Sequence, residues 1–176
     1  MHRGKLVLAA ALALTWQSAQ AHIVFEDTDA VAGSYFASAL RVSHGCDGAP
    51  TTAITVEVPP QIVMIKPQPK PGWTLTIARE PLSDPVTGEG GKRITERVAR
   101  ITWSGGLADD MFDTFGLMMK LPAQTGMLYF PVQQTCAIGE TDWSEIPAAG
   151  APWHSVPHPA PVLDVMAPDM AGPAHH

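Results

Sequence analysis

Metal chemistry at a chain terminus is the first possibility that this sequence raises, because His22 follows the tripeptide Ala19-Gln20-Ala21. An A-x-A arrangement of small residues is typical of a signal-peptidase cleavage site. Cleavage after Ala21 gives His22 a free α-amine, which can close a six-membered chelate ring on one metal ion together with the imidazole Nδ1. Such nitrogen donors suit Cu(II). We therefore predict that His22 is the first residue of the processed chain and a copper ligand; the alternative is a chance histidine after the cut.

The segment before this cut has the other two parts of a secretory signal. Arg3 and Lys5 form a basic start, and an apolar run follows from Leu6 to Trp16. A membrane-spanning helix needs about 20 apolar residues, so this run is too short to span a bilayer. Residues 1–21 are therefore predicted to be a signal peptide. The product is predicted to be periplasmic or secreted, with no membrane span after processing.

The bulk composition limits the partners of the processed chain. Removing 21 of the 176 residues leaves 155, enough for one domain with its own core. The signal peptide takes away Arg3 and Lys5 and no acidic residue, so the formal charge changes from −6 to −8. An acidic chain whose sequence has no basic cluster argues against nucleic acid and anionic lipid as partners.

The chain has two cysteines, Cys46 and Cys136. In an oxidising compartment the two thiols are expected to form one disulfide. The rival interpretation, a pair of metal-binding thiolates, requires a reducing compartment, which a signal peptide excludes.

Hydrophobic residues alternate with polar ones in short segments along the chain, with Pro and Gly between the segments. A period of two indicates half-buried antiparallel strands. In the segment that contains Met118 and Met119, this alternation places one methionine in the core and the other outside. About seven such strands predict an immunoglobulin- or fibronectin-type antiparallel β-sandwich with one disulfide. Six of the segments are SYFASALRV (34–42), TTAITVEVP (51–59), GWTLTIA (72–78), RVARITWSG (97–105), TFGLMMKLP (114–122) and MLYFPVQQTC (127–136).

Proline, glycine and polar residues mark the connections and the end of the domain. A stiff turn is expected at 66–72 and a polar, glycine-rich loop at 81–93. A last edge strand is expected within 157–165, after which the composition becomes rich in Pro, Ala, Met and His. We therefore predict a β-sandwich domain over 22–163 and a disordered tail over 164–176.

Motifs of enzymatic acid–base or nucleophilic catalysis are absent from the sequence. There is no G-x-S-x-G, H-E-x-x-H or C-x-x-C motif and no P-loop. We therefore predict that the protein is not an enzyme and has no catalytic residues.

Several segments resemble the YcnI-like periplasmic copper-binding proteins. They are the Ala21-His22 start, AGSY (32–35), RVSHGCDGAPTTAITVEVP (41–59), KPGWTL (70–75), TWSGG (102–106), YFPVQQTC (129–136) and Trp143. The resemblance implies an immunoglobulin-like sandwich that holds one Cu(II) through a single N-terminal histidine. It also implies an acidic ligand from the turn after the second strand and a tryptophan close to the metal. His22 matches the family's histidine, and Trp143 matches the tryptophan.

The family's acidic ligand has no direct counterpart in this chain. Where many relatives have a glutamate, the sequence RVSHGCDG has Gly45. Asp47 is our first choice as the replacement, because it keeps a carboxylate in the turn. His44 is the second candidate, since imidazole is an excellent Cu(II) ligand. The disulfide is expected to hold this turn near the strand that leads to Trp143.

The sequence therefore predicts an exported protein that binds Cu(II) for copper delivery, storage or buffering. Its expected partners are the copper ion and, in transfer, another periplasmic copper protein or a membrane copper transporter. Two other classes stay open: a copper-dependent oxidative enzyme of polysaccharide monooxygenase type, and a metal-free adhesion or assembly module. The sequence leaves open the copper donor or acceptor, the handling of Cu(I), including by the tail, and the oligomeric state.

Overall fold

The structure, a computed structural model, describes residues 22–168. The predicted signal peptide and the part of the predicted tail from residue 169 onward lie outside the described residues. Within residues 22–168 there is no α-helix, and no helix is long and apolar enough to cross a membrane.

Twelve strands and two short 3₁₀ turns form the domain. The strands are β1 (Val24–Phe25), β2 (Asp29–Val31), β3 (Tyr35–Val42), β4 (Thr51–Glu57), β5 (Ile65–Pro67), β6 (Thr74–Thr87), β7 (Arg93–Leu107), β8 (Asp113–Lys120), β9 (Gly126–Tyr129), β10 (Val132–Cys136), β11 (Glu140–Trp143) and β12 (Val162–Met166). The 3₁₀ turns are Glu89–Gly91 and Trp153–Ser155.

The strands form three sheets of an immunoglobulin-like sandwich. One sheet has the order β1-β3-β8-β5, and the second has the order β11-β10-β4-β7-β6. The third is small, with β12 between β2 and β9. Every strand pair is antiparallel except β2 with β12, which is parallel. The predicted antiparallel sandwich class is therefore confirmed.

The alternating residues of the strands build one continuous core. Trp103 and Ile54 from one large sheet and Leu40 and Phe115 from the other are almost completely buried. Burial of side chains of this size contributes about 1.5–3 kcal/mol each relative to exposure. The two neighbouring methionines behave as the alternation predicts, because Met119 is buried while Met118 stands on the exposed face.

The structure corrects two of the sequence predictions. The segment 81–93 was predicted to be a loop, but β6 continues to Thr87 and pairs with β7 as a long hairpin. Pro81 and Pro85 cannot donate ladder hydrogen bonds, and β6 accommodates them because it is an edge strand with a register shift between Pro81 and Val86. The last strand, β12, was predicted to be an edge strand and instead lies between two neighbours; it includes Asp164 to Met166, which the sequence analysis placed in the tail.

Candidate metal centre

His22 lies two residues before the start of β1 and packs against two tryptophans. Its ring centroid is 5.7 Å from that of Trp143 and 5.1 Å from that of Trp153, both in edge-to-face geometry. β1 pairs with β3 and is an edge strand, which leaves His22 at the rim of the sandwich. The structure therefore brings the two predicted site residues His22 and Trp143 together.

Trp143 ends β11, the edge strand of the five-stranded sheet, and its indole is buried. The indole Nε1 donates a hydrogen bond to Oε1 of Gln134 at 3.0 Å. A buried tryptophan usually needs such a partner, because an unpaired N–H in the interior is costly. Gln134 therefore fixes the orientation of the indole that His22 contacts.

Gln134 also connects this tryptophan to the β3–β4 turn. Its side chain is completely buried, and its Nε2 donates to the backbone carbonyl of His44 at 2.7 Å and to the hydroxyl of Thr51 at 2.8 Å. One amide thus joins β11, β4 and the residue next to the turn. Sequence analysis did not single out Gln134, because a glutamine in an alternating strand pattern gives no sign that it faces the core.

His44 contacts the same indole as His22. Its ring centroid is 6.1 Å from that of Trp143. Its Nδ1 lies 2.5 Å from the carbonyl oxygen of Gly45, and since a carbonyl only accepts, Nδ1 carries the proton. In the neutral ring the lone pair is then on Nε2, the form in which imidazole binds metals.

Asp47 has a conformational role at the tip of a two-residue turn. Cys46 and Ala49 exchange backbone hydrogen bonds of 3.0 and 2.9 Å, and Asp47 and Gly48 between them have positive φ angles of 48° and 84°. Asp-Gly with two positive φ angles is typical of a type I′ hairpin turn. The Asp47 side chain is exposed at this tip, whereas His44 lies beside the indole.

The backbone conformation at position 45 requires glycine. A Cβ on Gly45 would lie 1.8 Å from the carbonyl oxygen of Ala49, which is backbone and part of the turn. The Gly45 N–H also donates to Oδ1 of Asp109 at 2.8 Å. The described conformation of this turn therefore leaves no room for any side chain at residue 45.

The predicted disulfide is present and holds the turn against β10. Cys46 and Cys136 are bonded, with their Cα atoms 6.0 Å apart and 90 positions apart in sequence. The N–H of Ala137 also donates to the carbonyl of Pro50 at 2.9 Å. The turn and the β10–β11 connection are thus tied together at one end of the sandwich.

The segment that returns from β11 to β12 contributes two residues that sequence analysis did not assign to the site. Trp153 contacts His22, and its Nε1 donates to the carbonyl of Ala160 at 2.8 Å. His158 has its ring centroid 5.3 Å from that of Trp143 and its Nδ1 3.9 Å from a carboxylate oxygen of Glu145. No periodic pattern marks either residue, because the segment is irregular and rich in proline.

The donors available at this edge are imidazoles and the amine that processing would create. In residues 22–168, no group of three or more His, Cys, Asp or Glu side chains is arranged to hold a metal ion. A chelate formed by the α-amine and imidazole of His22 needs fewer side chains, with one further ligand from the turn. These nitrogen donors fit the preferences of Cu(II).

The family model for a domain of unknown function, DUF1775, matches residues 22–165, which include the sandwich and the histidine–tryptophan edge. The chain belongs to the DUF1775 family. This is the family model of the YcnI-like proteins, so the resemblance found in the sequence is confirmed at the level of the family. The match begins at His22, the residue after the predicted cut.

Among solved structures, an uncharacterized protein from Nocardia farcinica with an immunoglobulin-like fold is similar to this chain. The identity is 28%, the TM-score is 0.62, and the alignment covers 82% of this chain and 97% of that one. A protein from Corynebacterium diphtheriae described as membrane anchored aligns at 10% identity and a TM-score of 0.40, over 86% of this chain and 35% of that one. The first similarity agrees with the sandwich fold. No curated protein matches the chain.

Proposed function

We propose that this member of the DUF1775 family is an exported protein that binds one Cu(II) at the edge formed by β1 and β11, for copper delivery, storage or buffering. The observation that carries the proposal is the position of His22, which directly follows an A-x-A sequence and packs against both Trp143 and Trp153. Its amine and imidazole would supply two nitrogen ligands, and the tryptophans would exclude water from one side of the ion.

His44 is the favoured further ligand. Its ring contacts the same indole as His22, and the hydrogen bond from Nδ1 to the Gly45 carbonyl favours the tautomer with a lone pair on Nε2. Asp47 was the first choice from sequence, but its exposed place at the turn tip gives it a conformational role that accounts for the Asp-Gly pair. The proposed ligand set is therefore one amine and two imidazoles.

The proposed location is the periplasm or the extracellular space. The Cys46–Cys136 disulfide supports it, since such bonds persist in oxidising compartments. In this location the protein would take part in copper homeostasis as a chaperone or buffer, exchanging copper with another periplasmic copper protein or a membrane transporter.

A comparison of two N-termini tests the chelate. The chain that begins at His22 should bind Cu(II) at least about tenfold more tightly than the same chain with one added alanine, because the added residue turns the amine into an amide. Isothermal titration against a competing chelator measures both affinities. Equal affinity of the two chains would refute the proposed chelate.

The second ligand can be assigned by paired substitutions in the turn. We expect His44→Ala to weaken Cu(II) binding by about 10- to 100-fold and to change the nitrogen hyperfine pattern in electron paramagnetic resonance. Asp47→Asn, which keeps a residue that tolerates positive φ, should leave both properties nearly unchanged. The opposite result would return the assignment to Asp47. If neither substitution changes binding, the turn does not supply a ligand.

The proposal also distinguishes copper handling from oxidative catalysis. A polysaccharide monooxygenase uses two histidines with an N-terminal amine, and His22 and His44 would provide the same donor types. We propose that the function of this site is copper binding without catalysis. The copper-loaded protein with peroxide should therefore release no oxidised sugars from cellulose or chitin, as measured by mass spectrometry; their release would contradict this proposal.

A further inference from the structure

A cleft lies at the edge of the sandwich opposite the candidate metal centre. β1 and β11, which carry the candidate metal centre, end their two large sheets on one side, and β5 and β6 end the same sheets on the other. Across the five-stranded sheet the two edges are about 19 Å apart, from four strand spacings of about 4.8 Å. Between β5, β8 and the β6–β7 hairpin lies a cleft of about 390 Å³.

Four cations line this cleft although the chain as a whole is acidic. They are Lys66 of β5, Arg79 of β6, Lys92 next to the hairpin end and Lys120 of β8. In the described part of the chain, none of the four has a carboxylate oxygen within 4.0 Å of its charged nitrogens. Three other cations, Lys70, Arg97 and Arg100, do have such partners. The cleft therefore collects the larger part of the positive charge that no carboxylate neutralises.

Two acids, Glu89 and Glu96, share the cleft, so the cations exceed the acids by two. Glu89 interacts with Tyr35. The pKa of the Tyr35 phenol is raised above its ordinary value, mainly because of the hydrogen bond to the Glu89 carboxylate. Desolvation and the negative charge of Glu89 also raise it. A phenol with a raised pKa keeps its proton at neutral pH. The two acids therefore reduce the positive charge of the cleft without cancelling it.

The walls of the cleft are apolar and partly exposed. Tyr35 is 49% exposed and Met118 is 42% exposed, and Ile94 and Val98 lie on the hairpin side. The ammonium of Lys120 lies 4.6 Å from the centroid of the Tyr35 ring. Apolar walls with a few convergent charged groups are typical of small-molecule sites, and the volume lies in their usual range of about 300–1,000 Å³.

We propose that this cleft binds a phosphate monoester that carries an apolar group. A phosphate monoester has a charge of about −1.5 to −2 near pH 7, which matches the excess of two cations. Its oxygens would lie among the lysines and Arg79, and its apolar group would pack on Tyr35 and Met118. A free molecule fits better than a membrane surface, because the site is concave and the processed chain has a formal charge of −8, which anionic bilayers repel. This site is independent of the proposed copper function.

Titration of the processed chain with hexyl phosphate, followed by amide chemical shifts, tests the cleft. We expect saturable shifts confined to β5, β8, the β6–β7 hairpin and the start of β3 around Tyr35. Inorganic phosphate and hexanol should each bind at least about fivefold more weakly than hexyl phosphate, because the first lacks the apolar chain and the second lacks the phosphate group. Hexanoate should also bind more weakly, since it carries one charge. Lys66→Glu should weaken the binding of hexyl phosphate about tenfold, which corresponds to about 1.4 kcal/mol of binding free energy.

Arg41→Glu is the matched control. Arg41 is an exposed cation of β3 that pairs with Val24 of β1, on the side of the candidate metal centre. Arg41→Glu makes the same change in charge as Lys66→Glu and should alter the affinity for hexyl phosphate by less than about twofold. Equal weakening by the two substitutions would overturn the proposal, as would shifts outside the cleft or tighter binding of hexanoate. Binding to phosphatidylglycerol vesicles without binding of hexyl phosphate would assign the cleft to membranes instead.

Discussion

Gln134 offers the sharpest test of how the fold positions the metal centre. Its buried amide makes three hydrogen bonds, to Trp143, Thr51 and the backbone of His44. Gln134→Met keeps the side-chain length and removes all three bonds. Two acceptors and one indole N–H would then lose their partner inside the protein.

The size of the effect follows from these contacts. Each lost hydrogen bond costs about 1 kcal/mol net, and a buried group left without a partner costs about 1–3 kcal/mol. Three bonds therefore predict a loss of about 3 kcal/mol or more in the free energy of unfolding. For a domain of this size, about 2–4 °C of melting temperature corresponds to each kcal/mol, so a decrease of about 6–12 °C is expected.

Urea denaturation of the disulfide-bonded protein measures this loss, and Cu(II) titration measures its consequence for the site. Gln133→Met is the matched control: Gln133 is the neighbouring residue of β10, its side chain is exposed, and its only side-chain bond in the described residues is to Glu140 at 3.3 Å. The control should change stability by less than about 0.5 kcal/mol. If Gln134→Met is as stable as the control, the three bonds do not support the fold as we argue. Unchanged Cu(II) affinity in a destabilised variant would separate the core role of Gln134 from the site.

Three further predictions use other features of the domain. Replacing Cys46 and Cys136 with alanine should lower the free energy of unfolding by about 4 kcal/mol, since the bond closes a loop of about 90 residues; a change below 1 kcal/mol in chemical denaturation would contradict this. Cu(II) should quench tryptophan emission, and most of this quenching should be lost in Trp143→Phe, because the Trp143 ring lies near His22. Unchanged quenching in this variant would place the ion elsewhere. Met119→Ala should destabilise the core by about 2–5 kcal/mol and Met118→Ala by about 0.5 kcal/mol or less, and equal losses in thermal unfolding would refute the assigned orientations.

The sequence alone determined the features that depend on local pattern. A period of two sets which side of a strand faces the core, so the β-sandwich class and the opposite orientations of Met118 and Met119 followed from the order of residues. With two cysteines the disulfide had one possible pairing. The order of the matching segments also pointed to the family, and the A-x-A sequence pointed to His22 as a candidate metal ligand.

Only the tertiary structure decided which distant residues meet. His22, His44, Trp143 and Trp153 come from four separate parts of the chain, and their convergence depends on the pairing of β1 with β3 and of β10 with β11. The buried position of Gln134 has the same origin.

The distribution of charge shows the clearest difference between what the sequence indicates and what the tertiary structure places together. Along the sequence the basic residues form no cluster, which argues against nucleic acid and anionic lipid as partners. In the fold, Lys66 and Lys120 come together because β5 pairs with β8, and the β6–β7 hairpin adds Arg79 and Lys92. Local periodicity depends on residues that are neighbours in sequence, whereas a site depends on residues that are neighbours in space. Strand pairing between distant segments is what brings the residues of a site together.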